Sequence, residues 1–348
     1  EFPVSEMSPL SDGTIYSLSF QGIDRAGNRS EPTVIQGISY DVTPPAISGL
    51  SPPDSAYVNH TRITYELSEI MAEGSVIWTQ IAGESDPRSP HVVDLTEGER
   101  IGGAHSDLTL AAAPLLKDGG VYRISVEGVD AAGNRSDTVS VSEISYDVGS
   151  PEIQVDFPAS GAFIADSRTV YSLDEVLASG TVTWLRSGGN PDPDSPHELG
   201  MSELELNYGP HDGQLAAIPE LVDGAIYSIQ FNGRDRAGNS AVTIEITGVK
   251  LDGTPPVIAL TSPDSAQAVN HNRLTFSLSE DLAEGSVIWM QSSGNSDANS
   301  PYEVPLFKSE LTAGDHADIT LEYAPTLNDG SIYNLTVVGK DFAGNVSD

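Results

Sequence analysis

The five-residue motif Asp-x-Ala-Gly-Asn occurs four times in this chain, starting at Asp24, Asp130, Asp235 and Asp341. Successive copies lie 106, 105 and 106 residues apart. A unit of about 105 residues that recurs with so little drift implies a tandem array of small domains. Each unit falls in the ordinary domain range and is long enough to bury a core of its own. The 348 residues hold about 3.3 such units. Asp12-Gly13 is a landmark that sits late in every later unit, and Asp348 follows the fourth motif closely. The sequence is therefore expected to start inside one repeat, to stop before completing another, and to be a segment of a longer polypeptide.

Within the unit beginning near Pro45, short β-rich runs are separated by Gly, Pro, Asn and Ser. They include Ile63–Leu67, Ser75–Trp78, Asp107–Leu110, Val121–Val126 and Thr138–Val141. Alternation of apolar and polar residues in runs this short indicates strands with one buried face. No segment sustains a helical period, and 33 Gly with 23 Pro interrupt the chain too often for long helices. About seven short strands per unit predict an all-β, two-sheet sandwich of the immunoglobulin type.

Two further landmarks sharpen that expectation. Trp78, Trp184 and Trp289 recur in the third strand, where a large ring would fill the space between sheets. Asp-Gly-x-x-Tyr recurs at Asp12–Tyr16, Asp118–Tyr122, Asp223–Tyr227 and Asp329–Tyr333. Its Tyr opens the sixth strand, where a tyrosine corner would tie the hydroxyl back to the backbone. Eight residues after each Tyr comes the Asp-x-Ala-Gly-Asn turn, with Gly and Asn suited to positive φ.

The run Gly-x-x-Tyr-x-apolar-x-apolar-x-Gly-x-Asp-x-Ala-Gly-Asn resembles the sixth strand and following turn of fibronectin type III and bacterial immunoglobulin-like repeats. The linkers Tyr40–Pro45 and Leu251–Pro256 resemble the joints of giant surface adhesins built from such repeats. Tyr146–Pro151 departs from that pattern by losing the Thr and one Pro, so this joint is expected to be less rigid. The resemblance implies a partial repeat at 1–41, full repeats at 42–147 and 148–252, and a repeat at 253–348 lacking its last strand. Arranged end to end, these would form an extended rod.

Charge and cysteine content narrow the function. With 51 Asp+Glu against 16 Lys+Arg, the formal charge is −35. Such a surface repels nucleic acid and anionic lipid, so neither is expected as a partner. No cysteine is present, which excludes disulfides and thiolate metal sites. No apolar stretch approaches the length of a membrane span, and no signal peptide is visible. Most of the carboxylates are an acidic solvated surface, but a minority recur at fixed places.

In a sandwich of this type the linker reaches the next domain at the end carrying its BC and FG loops. The first such joint would gather Asp41 from the linker, Glu69 from the end of the second strand, and Asp130 with Asn134 from the FG turn. The second set is Asp147, Glu175, Asp235 and Asn239; the third is Asp252, Glu280, Asp341 and Asn345. Asp12, Asp118 and Asp223, from the EF loop, are the weakest members. Carboxylates converging without Lys or Arg would repel one another. A Ca²⁺ ion, which takes six to eight oxygens in tolerant geometry, would resolve this, with the Kd of about 10⁻⁴ to 10⁻³ M usual in extracellular modules. The alternative is that each Asp simply caps its own turn through backbone N–H groups.

Histidines recur as well: His105, His211 and His316 before the fifth strand, and His91 and His197 after Ser-Pro, with Tyr302 in the next copy. Loss of a ligand in one copy argues against zinc and for packing or hydrogen bonding. The long connection from Thr79 to Ala104 repeats an Asp-x-x-Ser-Pro-like element at Asp86, Asp192 and Asp297, and His91–Leu95 reads as an extra strand. Its uniformity suggests a repeated structural task, such as contact between chains. No nucleophile elbow, phosphate loop or Cys supplies catalysis, so no enzyme is expected. The function expected is a stalk or fibre of a secreted bacterial surface protein. The alternatives are an adhesin array that binds glycan or host protein, and the protomer of an extracellular filament.

Overall fold

The computed structural model describes residues 8–348; the first seven positions of the expected partial repeat 1–41 lie outside the described residues. The chain groups into two compact units. One runs to Ser150 and includes Arg236–Asn239, and the other comprises Pro151–Asp235 and Ser240–Asp348. Among the described residues, no helix is long and apolar enough to cross a membrane.

In the first unit, β1 (Thr14–Phe20) and β2 (Thr33–Tyr40) form an antiparallel pair. The following repeat supplies β3 (Ile47–Ser51), β4 (Tyr57–Val58), β5 (Ile63–Leu67), β6 (Glu73–Gly83), β7 (His91–Asp94), β8 (Gly103–Leu108), β9 (Gly120–Val129) and β10 (Val139–Tyr146). One sheet has the order β3-β5-β8 and the other β4-β10-β9-β6-β7. This is the expected two-sheet sandwich with two additions. The extra strand read at His91–Leu95 is β7, on the edge beside β6. The two-residue β4 pairs parallel to β10, a contact no local pattern announces.

Alternation places the core. Ile63, Tyr65 and Leu67 on β5, Val76 and Trp78 on β6, and Tyr122, Ile124 and Val126 on β9 are all buried, while their neighbours along the strands are less so. The Trp78 ring meets Tyr122 edge-on, with centroids 6.3 Å apart at 74°, a favoured aromatic arrangement. The tyrosine corner forms as expected: the Tyr122 hydroxyl accepts the Lys117 N–H at 2.8 Å.

The second unit repeats this plan. It contains β11 (Ile153–Phe157), β12 (Phe163–Ile164), β13 (Thr169–Leu173), β14 (Leu177–Gly189), β15 (His197–Gly200), β16 (Gly209–Gly213), β17 (Ala225–Asp235) and β18 (Ile244–Leu251). Their sheets are β11-β13-β16 and β12-β18-β17-β14-β15. Then follow β19 (Ile258–Ser262), β20 (Leu274–Leu278), β21 (Glu284–Gly294), β22 (Tyr302–Pro305), β23 (Gly314–Ile319) and β24 (Ser331–Lys340), in sheets β19-β20-β23 and β22-β21-β24. Trp184 and Trp289 are buried as Trp78 is, each in a separate apolar cluster.

The Asp-x-Ala-Gly-Asn segment makes the turn after β9. Val129 bridges Arg135, and the Ser136 N–H returns to the Gly128 carbonyl at 3.0 Å. Gly133 takes φ +94°, which a side chain would resist. The companion Asn was expected to share that conformation, but it is not among the residues with positive φ. Its side chain has a different task, described next.

Candidate metal centre

Asp130 closes its own turn. Its Oδ1 accepts the N–H groups of Ala132, Gly133 and Asn134 at 2.8, 2.7 and 2.9 Å, and its Oδ2 accepts Asn134 Nδ2 at 2.7 Å. Burial pushes this carboxyl up, but the Asn134 side chain and the three backbone donors outweigh it and hold the group below the usual carboxylate range. Asp24 makes the same turn in the open, with Ala26 and Asn28 as donors. Turn capping is therefore a property of the motif itself.

The Asn does more than serve the turn. Asn134 Nδ2 also donates to the Asp41 carbonyl oxygen at 3.1 Å, reaching 93 residues back to the linker. Asn345 does the same to Asp252 at 2.6 Å, and Asn239 to Asp147 at 3.0 Å. Asn239 in addition accepts Asn59 Nδ2 at 3.0 Å. In all three cases the amide nitrogen is what faces the linker.

This tether brings acidic groups together. One carboxylate oxygen from each of Asp41, Glu69 and Asp130 lies within 4.8 Å of the others, and the same holds for Asp252, Glu280 and Asp341. Asp130 and Asp341 are only 4 % and 2 % exposed, whereas Asp41, Glu69, Asp252 and Glu280 are half-buried. Glu69 sits between β5 and β6. Burial first, and then the charges of Asp41, Asp130 and Asp12, push its carboxyl above the ordinary value. Glu280 is raised by burial, Asp252 and Asp341, against an opposing effect of Lys250. Of the middle set, Asp147 follows β10 in the first unit, while Glu175 and Asp235 belong to the second, half-buried and buried respectively.

The EF-loop aspartates hold backbone instead. Asp12 Oδ1 accepts the Val42 N–H at 2.8 Å and its Oδ2 accepts the Thr43 hydroxyl, the main cause of its lowered pKa. Asp223 grips Gly253 N–H and the Thr254 hydroxyl in the same way, at 2.8 and 3.0 Å. Asp118 keeps only the backbone bond, to Val148 at 2.8 Å, because Gly149 stands where the other linkers have Thr. The difference noticed in that linker thus corresponds to one lost hydrogen bond.

A hard cation is the species this donor set suits. Three carboxylates offer oxygen alone, and separations up to 4.8 Å are those of oxygens lying 2.3–2.6 Å from one shared Ca²⁺. Asp41 has one oxygen committed to the Thr43 N–H at 3.0 Å, which orients the carboxylate without consuming it.

The histidines do structural work. His105 stacks on Tyr65 with centroids 4.7 Å apart and bonds the Ile101 carbonyl at 2.9 Å. His91 Nε2 lies 2.6 Å from Asp86 Oδ2, which also accepts the Tyr122 hydroxyl at 2.8 Å. Asp192, His197 and Tyr227 repeat this buried trio, and in the last repeat Tyr302 replaces the His beside Asp297 and Tyr333. All three positions recur at the repeat length in the sequence, but no local pattern shows that they meet.

Residues 217–348 match the family described as Bacterial Ig-like domain (group 3). No curated protein matches the chain in sequence. Among solved structures, a tetra-tandem repeat in the extending region of a large adhesion protein aligns at 19 % identity, covering 96 % of this chain and 80 % of that one, with a TM-score of 0.29. The FN1–FN3 domains of chicken CNTN1 align at 10 % identity over 88 % and 96 % of the two chains, with a TM-score of 0.31. The repeated landmarks and the strand order make the chain a tandem array of immunoglobulin-like sandwiches, and residues 217–348, which hold the last of them, match the bacterial group of that fold.

Proposed function

We propose that this chain is a non-enzymatic structural segment of a large bacterial surface protein, a stalk whose repeats are stiffened at their joints by calcium. The observation that carries this reading is the convergence of Asp41, Glu69 and Asp130, matched by Asp252, Glu280 and Asp341. The linker aspartate, the following Glu and the FG-turn aspartate come from both sides of a joint in the sequence. A divalent ion bound to all three ties the linker to the next repeat. The sequence repeats the same acidic set at Asp147, Glu175, Asp235 and Asn239. Neighbouring repeats are the partners this reading needs. Near-uniform copies suit a spacer, whose reach grows with copy number.

Calcium titration with thermal melting tests it. Millimolar Ca²⁺ is expected to raise the Tm, and small-angle scattering is expected to give a more extended particle with Ca²⁺ than with EDTA. An unchanged Tm and an unchanged scattering profile would reject the calcium joint.

A further inference from the structure

The two acidic clusters that lie within single units are not equivalent. At the position two residues before the linker aspartate, the first set has Ser39, the middle set Ser145 and the last set Lys250. Lys250 is the penultimate residue of β18, with its ammonium 3.3 Å from Asp252 Oδ2. That ammonium also lies 5.0 Å from the centroid of the Phe163 ring, on the parallel-paired β12, and Phe163 packs against Phe342 at 5.9 Å. Phe342 is the variable residue of the fourth Asp-x-Ala-Gly-Asn turn, directly after the cluster's Asp341. A cation is thus already seated on one cluster carboxylate, held over an aromatic face. Attraction of an ammonium to a ring adds to its attraction to the carboxylate.

We propose that Lys250 is a built-in counter-charge that makes the Asp252–Glu280–Asp341 cluster far less dependent on a divalent ion than Asp41–Glu69–Asp130. This rests on the calcium reading above and adds a regulation to it: joints of one chain are set to different calcium thresholds by a single residue. The positive charge contributes in two ways. Without calcium it relieves the repulsion among the three carboxylates, and with calcium it repels the incoming ion and occupies an oxygen. Lys250 and Asp252 are 37 % and 14 % exposed at their side chains, so the interaction is screened only in part.

Hydrogen–deuterium exchange of the full chain during a calcium titration reads the two places separately, through peptides spanning 130–135 and 341–346. The calcium midpoint for protection at 341–346 is expected to lie about tenfold above that at 130–135. K250S, which installs the residue of the other two sets, should bring the two midpoints together and leave 130–135 unmoved. K250R, which keeps the charge, should preserve the gap. In EDTA, K250S should speed exchange at 341–346. Equal midpoints in the unaltered chain, or a gap that survives K250S, would overturn the inference while leaving calcium at the joints intact. No response to calcium at either peptide in any variant would overturn both.

Discussion

Replacing Tyr122 by Phe deletes one hydroxyl and keeps the ring. That hydroxyl accepts the Lys117 N–H and donates to Asp86 Oδ2, both at 2.8 Å, and Tyr122 and Asp86 are both buried. A hydrogen bond between neutral groups contributes about 0.5–1.5 kcal/mol and one to a charged group about 1.5–3 kcal/mol, so Y122F should destabilise its repeat by about 2–4 kcal/mol. The contact with Trp78 is retained, so no cavity term is added. Urea unfolding of the full chain in a W184F/W289F background makes Trp78 the only indole reporter, which matters because a repeat array need not unfold in one step. D86L in that background removes the acceptor. Because D86L and Y122F break the same bond, their combined cost should fall short of the sum by about 1 kcal/mol or more. A Y122F cost below about 0.5 kcal/mol, the range of an ordinary surface change, or strict additivity with D86L, would refute the reasoning.

Three other outcomes follow from the same geometry. H91Y should leave stability nearly unchanged, because Tyr302 already bonds Asp297 at 2.9 Å in the last repeat, whereas H91L should cost about 1–3 kcal/mol by stripping a buried carboxylate of a donor; equal costs by urea melting would contradict this. Burial pushes Asp86 up, but donors from His91 and Tyr122 and the Arg88 N–H outweigh it and hold the group at about 2 against 3.8 in the open chain. A depressed acid stabilises the fold above 3.8 and loses that contribution as pH falls towards about 2, so an acid titration of Trp78 fluorescence should show a slope there that D86L lacks. Glu69 has the opposite sign: its raised pKa favours the fold below the ordinary value of 4.5 and loses that contribution as pH rises through the shifted value. E69Q should therefore raise the Tm at pH 7 in EDTA and lower the Tm gain given by calcium; a lowered Tm in both conditions would count against the cluster.

Much of this architecture is visible in the residues because it is periodic. Trp78, Tyr122 and the Asp-x-Ala-Gly-Asn turn each recur at the repeat length, and each owes its place to local physics: ring volume, a backbone-tied hydroxyl, a glycine at positive φ. The gathering of Asp41, Glu69 and Asp130 was accessible too, since the sandwich topology assigns loops to ends. What sequence reasoning missed are contacts between positions far apart, whose members each recur but whose meeting no local pattern announces. Asp86 meets Tyr122 across 36 residues. Glu99 takes the Thr96 and Ala111 N–H groups under the core, and its equivalents Glu205 and Glu310 recur at the repeat spacing, a signal that was available. The motif Asn was read both as a positive-φ residue and as a member of the acidic set; its backbone has no positive φ, and its side-chain amide bonds the linker carbonyl.

Each of the two full copies, 42–147 and 148–252, carries both a linker aspartate, Asp147 or Asp252, and an acidic pair of Glu and turn Asp, Glu69 with Asp130 or Glu175 with Asp235. On the calcium reading proposed above, a cut in the linker region would yield a cassette whose tail suits the head of a sibling. Duplication or deletion of whole cassettes would lengthen or shorten the protein without creating a mismatched seam, and no neighbour would need a compensating change. Tuning can then be confined to one side chain, as at Lys250, while the shared grammar of the seam stays fixed.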